Sequence, residues 1–335
     1  MRSPPGDQSQ RLLELKRPRD AAGAFEELLK TAPHHDFAAG MQAVTLLRCA
    51  NWTDHESRTA RIIDQLSKGR RTARPLDLAH LVDNPVLMRR SAALFAAHYS
   101  QIPSQPAPNR GASERIKVAF LSADFRDHPV GTLAAALFER LGRERFHVSA
   151  IAFGPADGGP TRRRIAAACD EFVIASGLTD AAVADTLRCR GLDIAVDLTG
   201  YTQYCRPGIL ARRCAPAQVN FLGFPGTMSA GHMDYIVADR FVIPPGAEAD
   251  YDDPLVRLAE SVWSPIATRR STFPSAAGLC SDFQKTQSSI ATSAMRKRLR
   301  PPCLTYGCAS CAELAAVSSG CGTTALSKIA SGVKR

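Results

Sequence analysis

The sequence predicts an α/β protein in which a parallel sheet follows an all-helical N-terminal segment. Between residues 21 and 100, apolar residues recur at helical spacing. From residue 115 onward, short apolar runs alternate with amphipathic stretches, which is the pattern of a parallel sheet covered on both faces. The stretch 101–114, QIPSQPAPNRGASE, is rich in Pro, Ser and Asn, so we predict a linker there.

The N-terminal segment divides into three parts. Residues 1–20 are polar and lack periodicity, so we expect them to be disordered. The apolar pattern of residues 21–48 predicts two short amphipathic helices with a break at Ala32–Pro33. This hairpin resembles the end of a tetratricopeptide (TPR) array, with small residues and a proline where that repeat favours them. Residues 49–100 continue with helical patterns and are predicted to connect the hairpin to the lobe that follows.

Residues 115–262 predict the α/β lobe. Six short apolar or β-branched runs read as strands, and helix-like stretches such as GTLAAALFERLG and TDAAVADTLRCRG separate several of them. Strands of this kind imply a Rossmann-like lobe, because each parallel connection needs a crossover segment. The six runs are IKVAFLS, FHVSAIAFG, EFVIA, LDIAVDL, AQVNFLG and MDYIVAD.

Composition excludes several classes of function. No apolar run approaches the ~20 residues that span a bilayer, and the N-terminus lacks a secretory h-region, so we expect a cytoplasmic protein without a membrane partner. The net charge is +10, yet ten Lys/Arg and two acids fall after residue 263. The rest of the chain is nearly neutral, so we do not expect a nucleic-acid groove.

The cysteines divide in the same way as the charge. Five of the ten are scattered through periodic segments and read as small buried hydrophobes in a reducing compartment. The other five crowd the tail, where a zinc site is conceivable but the spacing matches no strong pattern. We therefore predict no metal. The tail cysteines weighed for zinc are Cys303, Cys308, Cys311 and Cys321.

Three polar loops follow predicted strands and mark the place for chemistry, because ligands of such sheets bind beyond the carboxyl ends of the strands. They read SADFRDHP, DLTGYTQ and GFPGTMSAGH. In the first, Pro129 restricts His128 at a strand-to-helix turn, and His128 can exchange protons near neutral pH. Asp124 and Asp127 either orient this imidazole or cap the helix. No P-loop and no GxGxxG after a strand occurs.

The order of these motifs resembles that of a known family. Members of the protein O-GlcNAc transferase and SPINDLY family read similarly through SSDFxxHP, a GYT or GHT loop, RPAPIQ, a GYPGT loop and an MDY strand. Here the matching stretches are SADFRDHP, GYT, RCAPAQ, GFPGT and MDY. The resemblance covers about residues 115–262, and more loosely the helical region with CANWTD.

The resemblance implies the N-terminal lobe of a two-lobed GT-B glycosyltransferase. Such an enzyme is inverting and metal-independent, and it moves N-acetylglucosamine from UDP-GlcNAc, its donor substrate, to Ser or Thr hydroxyls of an acceptor protein. By this match His128 is the active-site histidine beside the donor, proposed as base. The other residues expected at the donor cleft are Asp124, Asp127, Gly200, Tyr201, Thr202, Pro225, Gly226 and Thr227.

The tail after Trp263 departs from the family. Residues 263–335 lack sustained periodicity and are expected to be disordered, and nothing there resembles the second lobe that holds the uridine. Permitted codons for CLTYGCASCAEL, read one frame over, encode LDVWMRILRGV, which looks like the start of that lobe. We therefore interpret residues from about 264 onward as the product of a frameshift and expect the chain to be a truncated, inactive transferase.

Two alternatives stay open. In one, the chain is a non-catalytic scaffold whose helical segment binds a partner, and UDP affinity would argue against it. In the other, an unrelated sugar-nucleotide enzyme shares the Rossmann-like lobe, because a fold alone does not fix a substrate.

Overall fold

The computed structural model of the chain describes residues 5–108 and 114–258. The expected disorder, frameshift and tail cysteines of residues 263–335 lie outside this range. Within the described residues, six helices precede the sheet. They are α1 (Pro5–Glu14), α2 (Pro18–Thr31), α3 (Ala38–Arg48), α4 (His55–Ser67), α5 (Pro75–Ala79) and α6 (Pro85–Ala96).

Strands and helices alternate in the lobe that follows. The elements are β1 (Ile116–Ser122), α7 (Pro129–Arg140), β2 (Phe146–Ala152), α8 (Pro160–Ala167), β3 (Glu171–Ile174), α9 (Asp180–Cys189), β4 (Ile194–Asp197), α10 (Pro207–Ala211), β5 (Ala217–Phe221), β6 (Tyr235–Ala238) and β7 (Leu255–Arg257). A short 3₁₀ turn, Glu248–Asp250, precedes β7. The α/β prediction with an α-helical N-terminal segment is confirmed.

All seven strands join one parallel sheet in the order β3-β2-β1-β4-β5-β6-β7. β1 is central: Val118 is paired with Val148 of β2 on one side and with Ile194 of β4 on the other. The chain builds outward from β1 first to β2 and β3, then returns to add β4 on the opposite side. The strand order therefore reverses between β1 and β4, as in doubly wound dinucleotide-binding sheets.

The two faces of β1 enter two different cores, because successive side chains of a strand point to opposite faces. Val118 and Phe120 pack on the side of α7, where Phe120 lies 4.7 Å from the ring of Phe138. Ala119 and Leu121 enter the other core. That second core also contains helical residues, among them Phe25, Met41 and Phe95.

The helical segment and the lobe consequently share one core, and they belong to one compact unit. The stretch 101–114, which we predicted as a linker, marks a change of secondary structure between them; its residues 109–113 lie outside the described range. A further link is made by Arg89 of α6, which pairs with Asp252 and donates to the carbonyl of Ala249.

Helix α1 differs from the expectation that residues 1–20 are disordered. The stretch is polar, but α1 packs against α2, Ser9 is fully buried, and Leu13 contacts the shared core. A short helix with weak periodicity is marginal alone, and here tertiary contacts stabilise it. Residues 1–20 do not by themselves predict this helix, because the contacts that stabilise it are made with α2.

No helix within the described ranges has the length and hydropathy needed to cross a bilayer.

Candidate functional site

The candidate site lies where β1 and β4 end, side by side, at the reversal of strand order. The loops after these strands run from Ala123 to His128 and from Leu198 to Arg206. Loops at this point cannot be covered by a connection between the two strands, so a crevice forms between them. The third predicted loop follows β5, which is the next strand in the sheet.

Thr199 joins the first two loops. Its hydroxyl oxygen accepts a hydrogen bond from the amide of Ala123 at 3.0 Å, and its carbonyl accepts from the hydroxyl of Thr202 at 3.0 Å. The amide of Thr199 donates to Asp197 Oδ1 at 2.8 Å. Because Thr199 is buried, these bonds are shielded from water and fix the spacing of the two loops.

His128 is the N-cap residue of α7. Its Nδ1 accepts a hydrogen bond from the amide of Val130 at 3.3 Å, which satisfies one of the unpaired amides at the helix start. The nearest carboxylate oxygen, Asp124 Oδ2, lies 3.7 Å from Nδ1, beyond hydrogen-bonding range. A neutral imidazole whose Nδ1 accepts carries its proton on Nε2, so His128 in this state is a donor through Nε2–H.

Asp124 lies in the same loop and is buried. Its amide donates to the hydroxyl of Ser122, and its Oδ1 receives a 2.9 Å bond from the guanidinium of Arg126. Its other oxygen is the one that faces His128. Asp124 therefore places a carboxylate oxygen next to the imidazole without capping α7.

Asp127 is directed elsewhere. Its amide donates to Asp157 Oδ2 at 2.7 Å, and its Oδ1 accepts from the amide of Thr161 in the first turn of α8. It ties the first loop to the loop after β2. Asp127 therefore neither orients the imidazole of His128 nor caps α7, which were the two roles considered for it.

The loop after β4 contains Gly200, Tyr201 and Thr202. Gly200 has φ +55°, and a Cβ there would lie 2.4 Å from Cβ of Phe224. Thr202 is half-buried near the loop surface. The side chain of Tyr201 is 3% exposed, and its hydroxyl donates to the carbonyl of Met228 at 2.8 Å. The side chain of Tyr201 therefore belongs to the core, and that the loop of Gly200, Tyr201 and Thr202 lines the donor cleft stays a prediction.

The loop after β5 contains Pro225, Gly226 and Thr227. Pro225 is exposed, and its carbonyl accepts from the hydroxyl of Tyr251. Thr227 is buried and donates to Asp253 Oδ2 at 2.7 Å, so its hydroxyl is already engaged in holding the loop. Pro225 and Gly226 remain as the accessible part of this loop.

Asp197, at the end of β4, is a residue that the sequence analysis missed. It is buried, and burial raises the pKa of its carboxyl group to about 6, an effect only partly offset by hydrogen bonds from the amides of Thr199 and Gly200. An acid that closes an apolar strand, as in DIAVD, was the available signal. The carboxylate supports the loop from beneath.

The part of the chain that the structure describes holds no group of three His, Cys, Asp or Glu side chains arranged to bind a metal ion. Its five cysteines are all free. The tail cysteines that we considered for zinc lie outside this part.

Residues 49–275 match the sequence model of Glycosyl transferase family 41. The match includes all three loops at the carboxyl edge of the sheet, and it runs past residue 264, where we placed the change of reading frame. It covers more than half of the chain.

Two curated relatives are similar over parts of the chain. The probable UDP-N-acetylglucosamine–peptide N-acetylglucosaminyltransferase SEC of Arabidopsis thaliana is 32% identical over 193 residues, which are 54% of this chain and 20% of the relative. The UDP-N-acetylglucosamine–peptide N-acetylglucosaminyltransferase of Caenorhabditis elegans is 26% identical over 240 residues, which are 67% of this chain and 20% of the relative. The chain thus spans about a fifth of the length of these relatives.

A solved structure supports the fold. A K341M mutant of the Thermobaculum terrenum O-GlcNAc transferase aligns with a TM-score of 0.51 over 79% of this chain and 60% of that one, at 22% sequence identity. The resemblance inferred from the loop motifs is therefore confirmed by the family match: the chain belongs to Glycosyl transferase family 41.

Proposed function

We propose that this chain is the N-terminal catalytic lobe of a glycosyltransferase that moves N-acetylglucosamine from UDP-GlcNAc to Ser or Thr hydroxyls of proteins. The family match over residues 49–275 carries the proposal. The names of the Arabidopsis and Caenorhabditis relatives support UDP-N-acetylglucosamine as donor and a peptide as acceptor. The proposal includes metal-independent chemistry, and the cytoplasmic location stays a prediction.

In such a transfer, the acceptor oxygen bonds to the anomeric carbon while the bond from that carbon to the diphosphate breaks. Negative charge then develops on the diphosphate, and the acceptor hydroxyl passes its proton to a diphosphate oxygen or to water. Hydrogen-bond donors aimed at the leaving oxygens stabilise this charge. His128 caps α7 through Nδ1, and its Nε2–H is therefore left as such a donor.

The same geometry argues against His128 as the proton acceptor while it caps α7, because the lone pair of Nδ1 already accepts a hydrogen bond from the amide of Val130. To act as base, the ring would have to move its proton to Nδ1 and give up the cap. Asp124 Oδ2, 3.7 Å away, would then become the partner of Nδ1–H. We therefore propose that His128 acts chiefly as a hydrogen-bond donor through Nε2–H. Asp124 would accept from Nδ1–H in the tautomer that acts as a base.

One lobe supplies one wall of the cleft. A diphosphate held from a single side remains largely in water, where charge stabilisation is weak because the dielectric constant is high. We therefore expect the chain alone to transfer no sugar. Resequencing the gene through and beyond the codons for residues 255–335 tests the frameshift: an open frame that resumes into a second lobe supports it.

Two measurements then test the function. The frame-restored protein, incubated with radiolabelled UDP-GlcNAc and a Ser/Thr peptide, should label the peptide in the presence of EDTA. Calorimetric titration of the same protein with UDP should be saturable. UDP binding with preference for another sugar nucleotide would mean that the donor is not UDP-GlcNAc, whereas no UDP affinity at all would favour the scaffold.

A further inference from the structure

A groove lies on the helical segment, and its lining residues all fall between residues 22 and 72. It is formed by α2, α3 and α4 together with the loops 33–36, 51–54 and 70–72, and its volume is about 780 Å³. α3 packs against both α2 and α4, so it lies between the two helices that bound the groove. The volume falls within the ~300–1,000 Å³ typical of ligand pockets.

The groove has an apolar part and a polar part. Leu29 of α2 and Leu46 of α3 supply partly exposed aliphatic surface, and Ile62 of α4 lies buried behind the lining. Gln42 and Gln65 add amides, which can donate to and accept from a peptide backbone. A surface that combines aliphatic contacts with side-chain amides suits a polypeptide segment.

The charge of the lining is positive. It includes five Lys or Arg side chains and three Asp or Glu side chains. Two of the cations are neutralised inside the groove, because Lys30 pairs with Glu26 at 3.3 Å and Arg71 pairs with Asp36 at 3.1 Å. The remaining charges are Arg58, Arg61, Arg70 and Asp54.

Arg61 and Arg70 are the important members of this set. Both are exposed, and among the described residues neither guanidinium group has a hydrogen-bond or ion-pair partner. Arg58 donates to the carbonyl of Thr53, which leaves its charge uncompensated. Guanidinium groups that face a groove without partners can bind carboxylates in bidentate geometry.

We propose that this groove docks an acidic segment of a partner protein, with Arg61 and Arg70 as the carboxylate-binding residues. The chain's own tail is a poor occupant, since residues from 264 onward carry ten Lys or Arg and two acids. A second copy is disfavoured because residues 1–263 are nearly neutral overall and the remainder of the chain is basic, so a copy offers no excess of acidic residues. Nucleic acid is disfavoured because no Phe, Tyr or Trp lines the groove for base stacking.

The test is fluorescence anisotropy on the full chain with a fluorescein-labelled peptide of repeating Glu-Ala-Leu. We expect saturable, salt-sensitive binding that R61Q/R70Q weakens about tenfold or more, since two charge-assisted contacts are lost. R61K/R70K, which keeps the charge but loses the bidentate guanidinium geometry, should weaken binding less than R61Q/R70Q does. The matched control is R19Q/R140Q, which removes two exposed arginines outside the groove and should bind like the parent.

Several results would overturn the proposal. If R61Q/R70Q and R19Q/R140Q bind the peptide equally, the basic tail and not the groove captures it. If a peptide with Gln in place of Glu binds as tightly, charge is not the basis of recognition. If a single-stranded oligonucleotide binds the parent more tightly than the Glu peptide and loses affinity only in R61Q/R70Q, the groove is a nucleic-acid site. The peptide-binding experiment does not measure sugar transfer, so its result neither supports nor contradicts the proposed transferase function.

Discussion

Gly200 occupies a left-handed backbone conformation and a crowded position at the same time. Its φ is +55°, and an added Cβ would lie 2.4 Å from Cβ of Phe224. Both effects are costly for any residue with a side chain. The glycine of the GYT motif is therefore required by the packing of one site loop on the next.

We expect Gly200→Ala to destabilise the protein by about 2–4 kcal/mol, combining the left-handed strain with overpacking. Gly231→Ala is the matched control, because Gly231 has open space around its Cβ position and no positive φ. Urea unfolding of both variants measures the difference. Equal midpoints for the two variants would contradict the crowding.

Asp197 shows how a buried carboxyl group makes stability depend on pH. Burial raises its pKa from 3.8 to about 6, so the folded state binds the proton more tightly than the unfolded state. Below about pH 4 both states are protonated and the stabilisation is complete. Between pH 4 and pH 6 the unfolded state releases the proton first, so stability falls as pH rises, by about 3 kcal/mol in total.

Asp197→Asn should abolish this component, since an amide does not ionise while its oxygen can still accept from the amide of Thr199. We expect the stability of Asp197→Asn relative to the parent to increase between pH 4 and pH 7. Unfolding free energies of both proteins at several pH values across this range give the comparison. Parallel curves would show that Asp197 does not titrate there.

Among the elements, α7 connects sequence to site most directly. Its start is fixed by His128 at the N-cap and Pro129 at the first helical position, a favoured combination because proline lacks the amide that would otherwise need a partner. One side chain thus has two roles, a structural one through Nδ1 and a proposed chemical one through Nε2.

Substitution can separate these two roles. His128→Ala should lower the free energy of unfolding by about 1 kcal/mol through loss of the cap, whereas His128→Asn should keep most of it, since Asn is a good N-cap. In the frame-restored enzyme we expect both variants to lose transferase activity. Activity retained by His128→Asn would mean that the residue matters for capping alone.

On the scale of the whole molecule, the helical segment and the sheet are held together at Phe95. Its ring lies 5.3 Å from Phe37, 5.6 Å from Tyr99 and 4.7 Å from Tyr201, so it joins α3 and α6 to the loop after β4. Because Tyr201 lies between Phe95 and Phe224, the packing of the helical segment reaches two of the site loops.

We expect Phe95→Ala to cost about 3–5 kcal/mol, since it leaves a cavity at this junction. Val86→Ala on the same helix should change stability by about 0.5 kcal/mol or less, because Val86 is 72% exposed. Thermal unfolding should be one transition in the parent. Two resolved transitions in the parent would contradict a shared core.

The parallel sheet and the order of the motifs along the chain were the features that sequence alone determined best. Apolar runs and helical periodicity predicted the parallel sheet, because parallel strands are buried on both faces and need crossover segments. The polar residues placed directly after those runs predicted the three loops. These are local signals, whereas the reversal between β1 and β4 that brings the first two loops together is known only from the order of the strands in the folded sheet.

Only tertiary structure decided what each loop residue contacts. Asp124 and Asp127 are alike in sequence, yet one faces His128 and the other holds the loop after β2, because Asp157 and Thr161 lie beside it. Tyr201 reads as a loop residue but is buried, since Phe95 arrives from a helix about a hundred positions earlier. Periodicity reports a residue's own element, whereas burial and hydrogen bonding depend on partners that are distant along the chain.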